Sequence, residues 1–190
     1  VEDDHSWSVG GRQKLFDGFA AFATQSERLI YGHSPLSADL FSAIEPKTPF
    51  FGENDVKFTE NRADWGPFQR ANASLAVEAA CELGVARNAA EEAALTFQGV
   101  ERRMRLRGQH GDDLLIIEDY AHHPTEVRAS IDALRQRYPQ HRLTLVFQPH
   151  RYARLRTYLD DFATELRRAD RIRVTGVFAA WTAREDIDSE

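Results

Sequence analysis

Apolar positions along the chain fall into two periodicities, and these divide it into elements. Leu15, Phe16, Phe19 and Phe22 have helical spacing, and a short strand is predicted to follow at 28–31. From Gly32 to Trp65 the pattern is broken by Pro35, Pro46, Pro49, Gly52 and Asn54; it leaves room for short strands at 48–51 and 56–59. Ala71, Leu75, Ala79 and Leu83 form the apolar stripe of a helix opening at Gly66, with Gly84 placed to cap its end. Asn88, followed by Glu91, marks the start of a second helix running to Phe97.

Beyond Gln98 the pattern alternates cleanly. Leu114–Glu118 reads as an apolar strand, and Pro124 opens a helix whose buried stripe is Val127, Ile131, Leu134 and Tyr138. Leu143–Phe147 is a second strand. Leu155, Tyr158, Leu159, Phe162 and Leu166 mark one further helix, and 172–178 is a third strand. Strand and helix alternating through short loops predict an α/β fold with a parallel sheet and right-handed crossovers. A domain boundary is expected at 98–109, where Gly99 and Gly108 bracket a basic run.

Composition narrows the classes of function. The apolar fraction is 42%, enough for a real core, and the net charge of -6 argues against a broad nucleic-acid or anionic-membrane footprint. No apolar run is long enough to span a bilayer, and no signal-peptide pattern opens the chain. Cys81 is the only cysteine, which rules out an intrachain disulfide and fits a reducing cytoplasm. The abrupt start at Val1 and the charged tail from Trp181 read as the ends of a fragment of something longer.

Two loops carry the candidate chemistry. The first strand is followed by Asp119-Tyr120-Ala121-His122-His123-Pro124-Thr125-Glu126, the second by Gln148-Pro149-His150-Arg151-Tyr152-Ala153-Arg154. Loops at the carboxyl ends of parallel strands share one edge of the sheet, where ligands bind. His150, Arg151 and Arg154 form a cationic cluster suited to carboxylate or phosphate oxygens, with the two arginines spaced to share a helical face. Asp119 suits the hydroxyl pair of a sugar. A plainer account stands beside this one: the histidines cap a helix, the arginines are solvated, and Asp119 satisfies backbone N–H groups.

The string Asp119 to Val127, paired with Phe147-Gln148-Pro149-His150-Arg151-Tyr152, Arg154 and Asp160-Asp161-Phe162, resembles the Mur ligase family of peptidoglycan biosynthesis. Within it, the pair of motifs is most similar to the branch that joins L-alanine to UDP-N-acetylmuramate. The murein tripeptide-recycling branch shares the His-His-Pro-Thr piece and usually lacks Gln-Pro-His-Arg. Weaker similarities lie at Phe97-Gln98-Gly99 with Arg102-Arg103, at Glu2 to His5, and at the helix start after Gly66.

The resemblance implies a C-terminal Rossmann-like domain over 110–190, a linker at 99–109, and the end of the family's ATP-binding central domain over 1–98. It implies ATP and magnesium as cofactors. His5 would be the magnesium ligand, Gln69 and Asn72 would lie at the nucleotide base, Arg103 at its phosphates and Asp119 at its ribose. His122, His123, His150, Arg151 and Arg154 would orient the amino-acid or product carboxylate, and Arg103 and His123 would be the catalytic pair.

The sequence departs from the family pattern in places. Phe68-Gln69 replaces His-Asn, Ser6-Trp7 replaces Met-Asp, and Val177 to Trp181 lacks the usual acidic residue. The alternatives are the murein tripeptide-recycling branch and, because of these departures, a degenerate, non-catalytic binding module. The phosphate-cradling Gly-x-x-x-x-Gly-Lys-Ser/Thr loop does not occur here. The resemblance therefore places it, with a UDP-binding domain, in missing N-terminal domains of a longer chain, and implies that this piece alone is catalytically inert.

Overall fold

The computed structural model describes all residues except 1–2, 33, 46, 51–55, 63, 112 and 181–190. The chain separates into two compact units, Val1–Phe97 and Gln98–Glu190.

In the first unit α1 (Arg12–Thr24) leads into β1 (Leu29–Gly32), which pairs in parallel with β2 (Lys47–Phe50) across α2 (Pro35–Leu40). Ala23, Tyr31 and Phe41 form one core cluster. The predicted strand at 56–59 is instead helix α3 (Val56–Asn61). Phe58 is 1% exposed and stacks on Trp65 at 5.9 Å, so packing overrides the extended preference of Val56 and Thr59. The helices α4 (Pro67–Glu82) and α5 (Arg87–Thr96) complete the second cluster through Val77 and Ala90. Gly84 sits beyond the end of α4 at φ 89°, the left-handed geometry expected of its cap. Helix α5 starts one residue before Asn88, with Ala86 as its N-cap. The fork of Arg87 holds Glu78 at 2.7 and 3.0 Å, anchoring the helix start to α4.

The second unit opens with a strand the sequence pattern did not suggest. β3 (Arg105–His110) runs antiparallel to β4 (Leu114–Glu118) through the stretch read as linker. Gly108 lies at the register shift between the strands, where an added Cβ would stand 3.8 Å from the Ile116 side chain. Helix α6 (Pro124–Arg137) then leads to β5 (Thr144–Phe147), and β5 pairs in parallel with β6 (Arg171–Val174). The predicted parallel pairing is present here, while β4 takes β3 as its hydrogen-bonded neighbour. The predicted single helix between β5 and β6 is two, α7 (Tyr152–Thr157) and α8 (Leu159–Leu166), broken at Tyr158, whose φ of -120° is not helical.

Val127 and Ile131 of α6 and Phe162 and Leu166 of α8 are buried with Phe147, each contributing roughly 1.5–3 kcal/mol. A cavity of about 480 Å³ lies between β4, α6 and β5, lined by Leu115, Ile117, Ile131, Leu134, Leu145 and Phe147 among others. It touches the first loop only at Asp119 and Ala121.

Candidate functional site

The end of β4 feeds directly into the N-terminus of α6, and local chemistry fixes the turn. Pro124 occupies the first helical position, and the His123 side chain accepts from the Thr125 N–H at 3.3 Å. Glu126, three residues after the cap, accepts from the backbone N–H groups of His122 at 2.9 Å and His123 at 3.2 Å. This reciprocal box holds both histidines in place. Asp119 closes the other side of the loop, accepting from Met104 N–H at 2.9 Å and Ala121 N–H at 2.7 Å. Arg103 bridges the two carboxylates, with Nη1 at 3.2 Å from Glu126 and 3.7 Å from Asp119.

The second loop is anchored by the chain beyond β6. Phe178 donates to the Pro149 carbonyl and accepts from Arg151 N–H, both at 2.8 Å, and its ring stacks on His150 at 5.5 Å. Arg151 precedes α7 at φ 70°, outside the helix, so spacing along a helical face does not relate it to Arg154. Its Nε is buried without a hydrogen-bond partner. Arg154 is turned inward at 1% exposure and donates from Nη1 to the His150 carbonyl and ring, each at 3.0 Å.

The two loops meet. The His122 and His150 rings lie 6.0 Å apart, edge to face, and the His123 ring packs on Tyr158 at 4.7 Å. Arg103, Asp119, His122, His123, His150, Arg151 and Arg154 all belong to the second unit. His123 and Arg154 are interior, whereas His122, His150 and Arg151 are partly exposed. Gln69, Asn72 and His5 belong to the first unit. Gln69 accepts from Gly66 N–H at 2.9 Å, capping α4, and Asn72 is exposed on that helix. His5 has its Nε2 3.6 Å from Asp4 and its ring 5.1 Å from Trp7. Among the described residues no three His, Cys, Asp or Glu side chains are grouped to hold a metal ion. Sequence reasoning quoted Glu126 without giving it a role, although its position three residues after the cap was the available signal. Tyr158 carried no local signal.

The two carboxylates around Arg103 are tuned in opposite directions. Burial pushes Asp119 up, and Glu126 adds to this; the Met104 and Ala121 N–H groups and Arg103 only partly oppose it. For Glu126 burial also pushes upward, but the His122 N–H, the His122 ring, Arg103 and the His123 N–H outweigh it, and its pKa lies below the ordinary value. A lowered folded pKa gives stability that is full above the unfolded glutamate pKa and lost as pH falls through the folded one. Asp119 has the opposite sign and gains as pH falls. Glu126→Ala is therefore expected to cost about 1–2 kcal/mol at neutral pH through loss of the cap. Denaturant midpoints measured against pH should show the gap between wild type and variant closing in acid. A gap that is unchanged at low pH would mean that the charge of Glu126 contributes nothing.

Comparisons with known proteins bear on the whole chain. Residues 102–189 match the model of the Mur ligase glutamate ligase domain. The UDP-N-acetylmuramate–L-alanine ligase of Bifidobacterium longum subsp. infantis is 35% identical over 186 residues, covering 96% of this chain and 35% of that protein. The protein of the same name from Bifidobacterium adolescentis is 39% identical over 136 residues, 72% of this chain and 26% of its own length. Among solved structures, the UDP-N-acetylmuramate–alanine ligase of Thermotoga maritima is similar at TM-score 0.52 and 29% identity, over 60% of this chain and 25% of that one. A murein peptide ligase from Psychrobacter arcticus shares the fold at TM-score 0.57 and 21% identity, over 84% of this chain and 40% of its own. The chain thus spans only 26–35% of the length of these two curated relatives.

Proposed function

Residues 102–189 belong to the Mur ligase family, and on that premise we propose that the chain is part of an ATP-dependent amide ligase joining L-alanine to UDP-N-acetylmuramate in the cytoplasm. ATP phosphorylates the lactyl carboxylate, the amine of alanine attacks the acyl phosphate, and amide, ADP and phosphate are released. The observation that carries this reading is the meeting of His122 and His150 at 6.0 Å, which brings the two motif loops together; Arg151, next to His150 in the second loop, has a buried Nε with no hydrogen-bond partner.

In this reading Arg151 and His150 receive the amino-acid carboxylate, and buried Arg154 and His123 hold the second and first loops in shape behind them. Arg103, now shared between Asp119 and Glu126, turns to nucleotide phosphates and offsets their charge. Asp119 retains lone pairs for the ribose. His5 alone does not make a magnesium site, and the remaining ligands would come from outside the described residues.

The test is an amino-acid screen for ADP formation by the full-length protein, with and without UDP-N-acetylmuramate. The expected result is a signal dependent on the nucleotide sugar and strongest with L-alanine. No signal above blank with any amino acid would favour a non-catalytic binding module.

A further inference from the structure

One buried charge of the first unit takes no part in the ligase chemistry above. Arg70, near the start of α4, is 8% exposed. Its Nη1 donates to the Trp65 carbonyl at 2.6 Å, and its Nε is enclosed with no hydrogen-bond partner. Among the described residues no carboxylate pairs with it. Arg62 provides the contrast. Its guanidinium lies 3.8 Å over the Trp65 ring, and both oxygens of Asp64 meet its charge, each at 2.9 Å. A guanidinium withdrawn from water without a counter-charge is unfavourable, so an unmatched one marks a place where an anion is expected.

The same end of α4 adds donors. Trp65 immediately precedes the N-cap, Gly66, so the Arg70 side chain reaches back past the start of the helix. Pro67 has no N–H. The Gly66 N–H is taken by Gln69 Oε1 at 2.9 Å, and the N–H groups of Gln69 and Arg70 reach the Gly66 carbonyl at 3.1 and 3.2 Å. Phe68 is left as the first-turn N–H with no acceptor among the described residues. No acidic residue lies in the first turn of this 16-residue helix to offset its dipole.

We infer that Arg70 and the N-terminus of α4 form a binding site for a small oxyanion, a phosphate or carboxylate group. The site is independent of the ligase reading. With Gln69 Oε1 committed to the Gly66 N–H and the Trp65 carbonyl to Arg70, this helix start presents donors alone. A nucleotide base carries donors and acceptors on one edge and would need a free acceptor here. An oxyanion needs only donors, and a guanidinium beside a helix N-terminus supplies them together with charge of the right sign. Phe68 and Gln69 are also where the sequence departs from the family's His-Asn, so the site belongs to this chain's own residues.

The test is an NMR titration of the 190-residue protein with inorganic phosphate and, separately, with acetate, each against sodium chloride at matched ionic strength. The Phe68 amide and the Arg70 Nε–H should shift together and saturate, and the tighter of the two arms tells a phosphate site from a carboxylate site. Arg70→Met, an apolar chain of similar length, should weaken binding by at least about tenfold. It should be no less stable than wild type in chloride, because it removes an unmatched charge. Phosphate or acetate, whichever binds, should raise the denaturant midpoint of wild type and leave that of the variant where it was. Arg70→Lys, a point charge without the planar fork, should bind with intermediate affinity. No saturable shift at Phe68 and Arg70, or the same shift with chloride, would overturn the site whether or not the variant folds. A variant destabilised equally in all three salts, beside a wild type that gains nothing from either oxyanion, would make Arg70 a strut for the Trp65 carbonyl.

Discussion

Replacing Arg154 by alanine is expected to cost the second unit roughly 3–5 kcal/mol, a large share of the stability of a domain this size. The side chain is 1% exposed, and its Nη1 holds both the carbonyl and the ring of His150. Truncation removes those donors and leaves a void where a side chain of 1% exposure stood. The cavity adds to the penalty of the abandoned acceptors. Amide hydrogen exchange read separately in α6 and α8 would isolate the second unit, with α4 as an internal control. A loss under about 1 kcal/mol would mean that the interior refills the space and that Arg154 is not what holds the second loop.

The largest functional effect is expected at Arg151. In the full-length protein, Arg151→Ala should raise KM for the amino acid by about a hundredfold to a thousandfold, the scale of losing one arm of a desolvated charge pair. Stability should change by less than about 0.5 kcal/mol. The reasoning is geometric. The backbone of Arg151 is held by its N–H bond to Phe178 and does not depend on the side chain, while its Nε is buried and unmatched. Alanine meets the same left-handed backbone as arginine at φ 70°, so the comparison is not clouded by relief of strain. Equal losses of affinity and stability would make the guanidinium a structural strut. An unchanged KM would place the carboxylate elsewhere.

Much of this arrangement was legible before any coordinates. The α6 start was readable because Pro124 and the polar residues around it leave few other conformations, and β5 because an apolar run between polar loops has few alternatives; of the strand expected at 172–178 only Arg171–Val174 forms, as β6. β3 was not readable: Arg105, Arg107 and His110 look like linker, and the strand exists because Glu118 and Glu101 meet Arg107 and because β4 offers an edge. A charged outer strand is a common way to keep a sheet edge soluble, and it hides the strand from a hydrophobicity pattern. The convergence of the loops followed from their positions at strand ends. The inward turn of Arg154 did not, because the left-handed backbone at Arg151 shifts the helix start by one residue and no residue type announces that shift. The role of Glu126 lay in plain view as a helix cap and became chemical only once the His122 ring was seen against it.

The tie between Phe178 and the 149–151 loop has a consequence for how the two loops come together. Their meeting draws on 119–123, on 148–151 and on a residue beyond β6, so no contiguous stretch of chain can form it alone. Contacts this far apart in sequence close late, after the strands and helices that separate them have docked. If the proposed function holds, ligand affinity in the second unit reports its completed folding, and a cut between Phe147 and Phe178 is expected to abolish binding even while α6 remains helical.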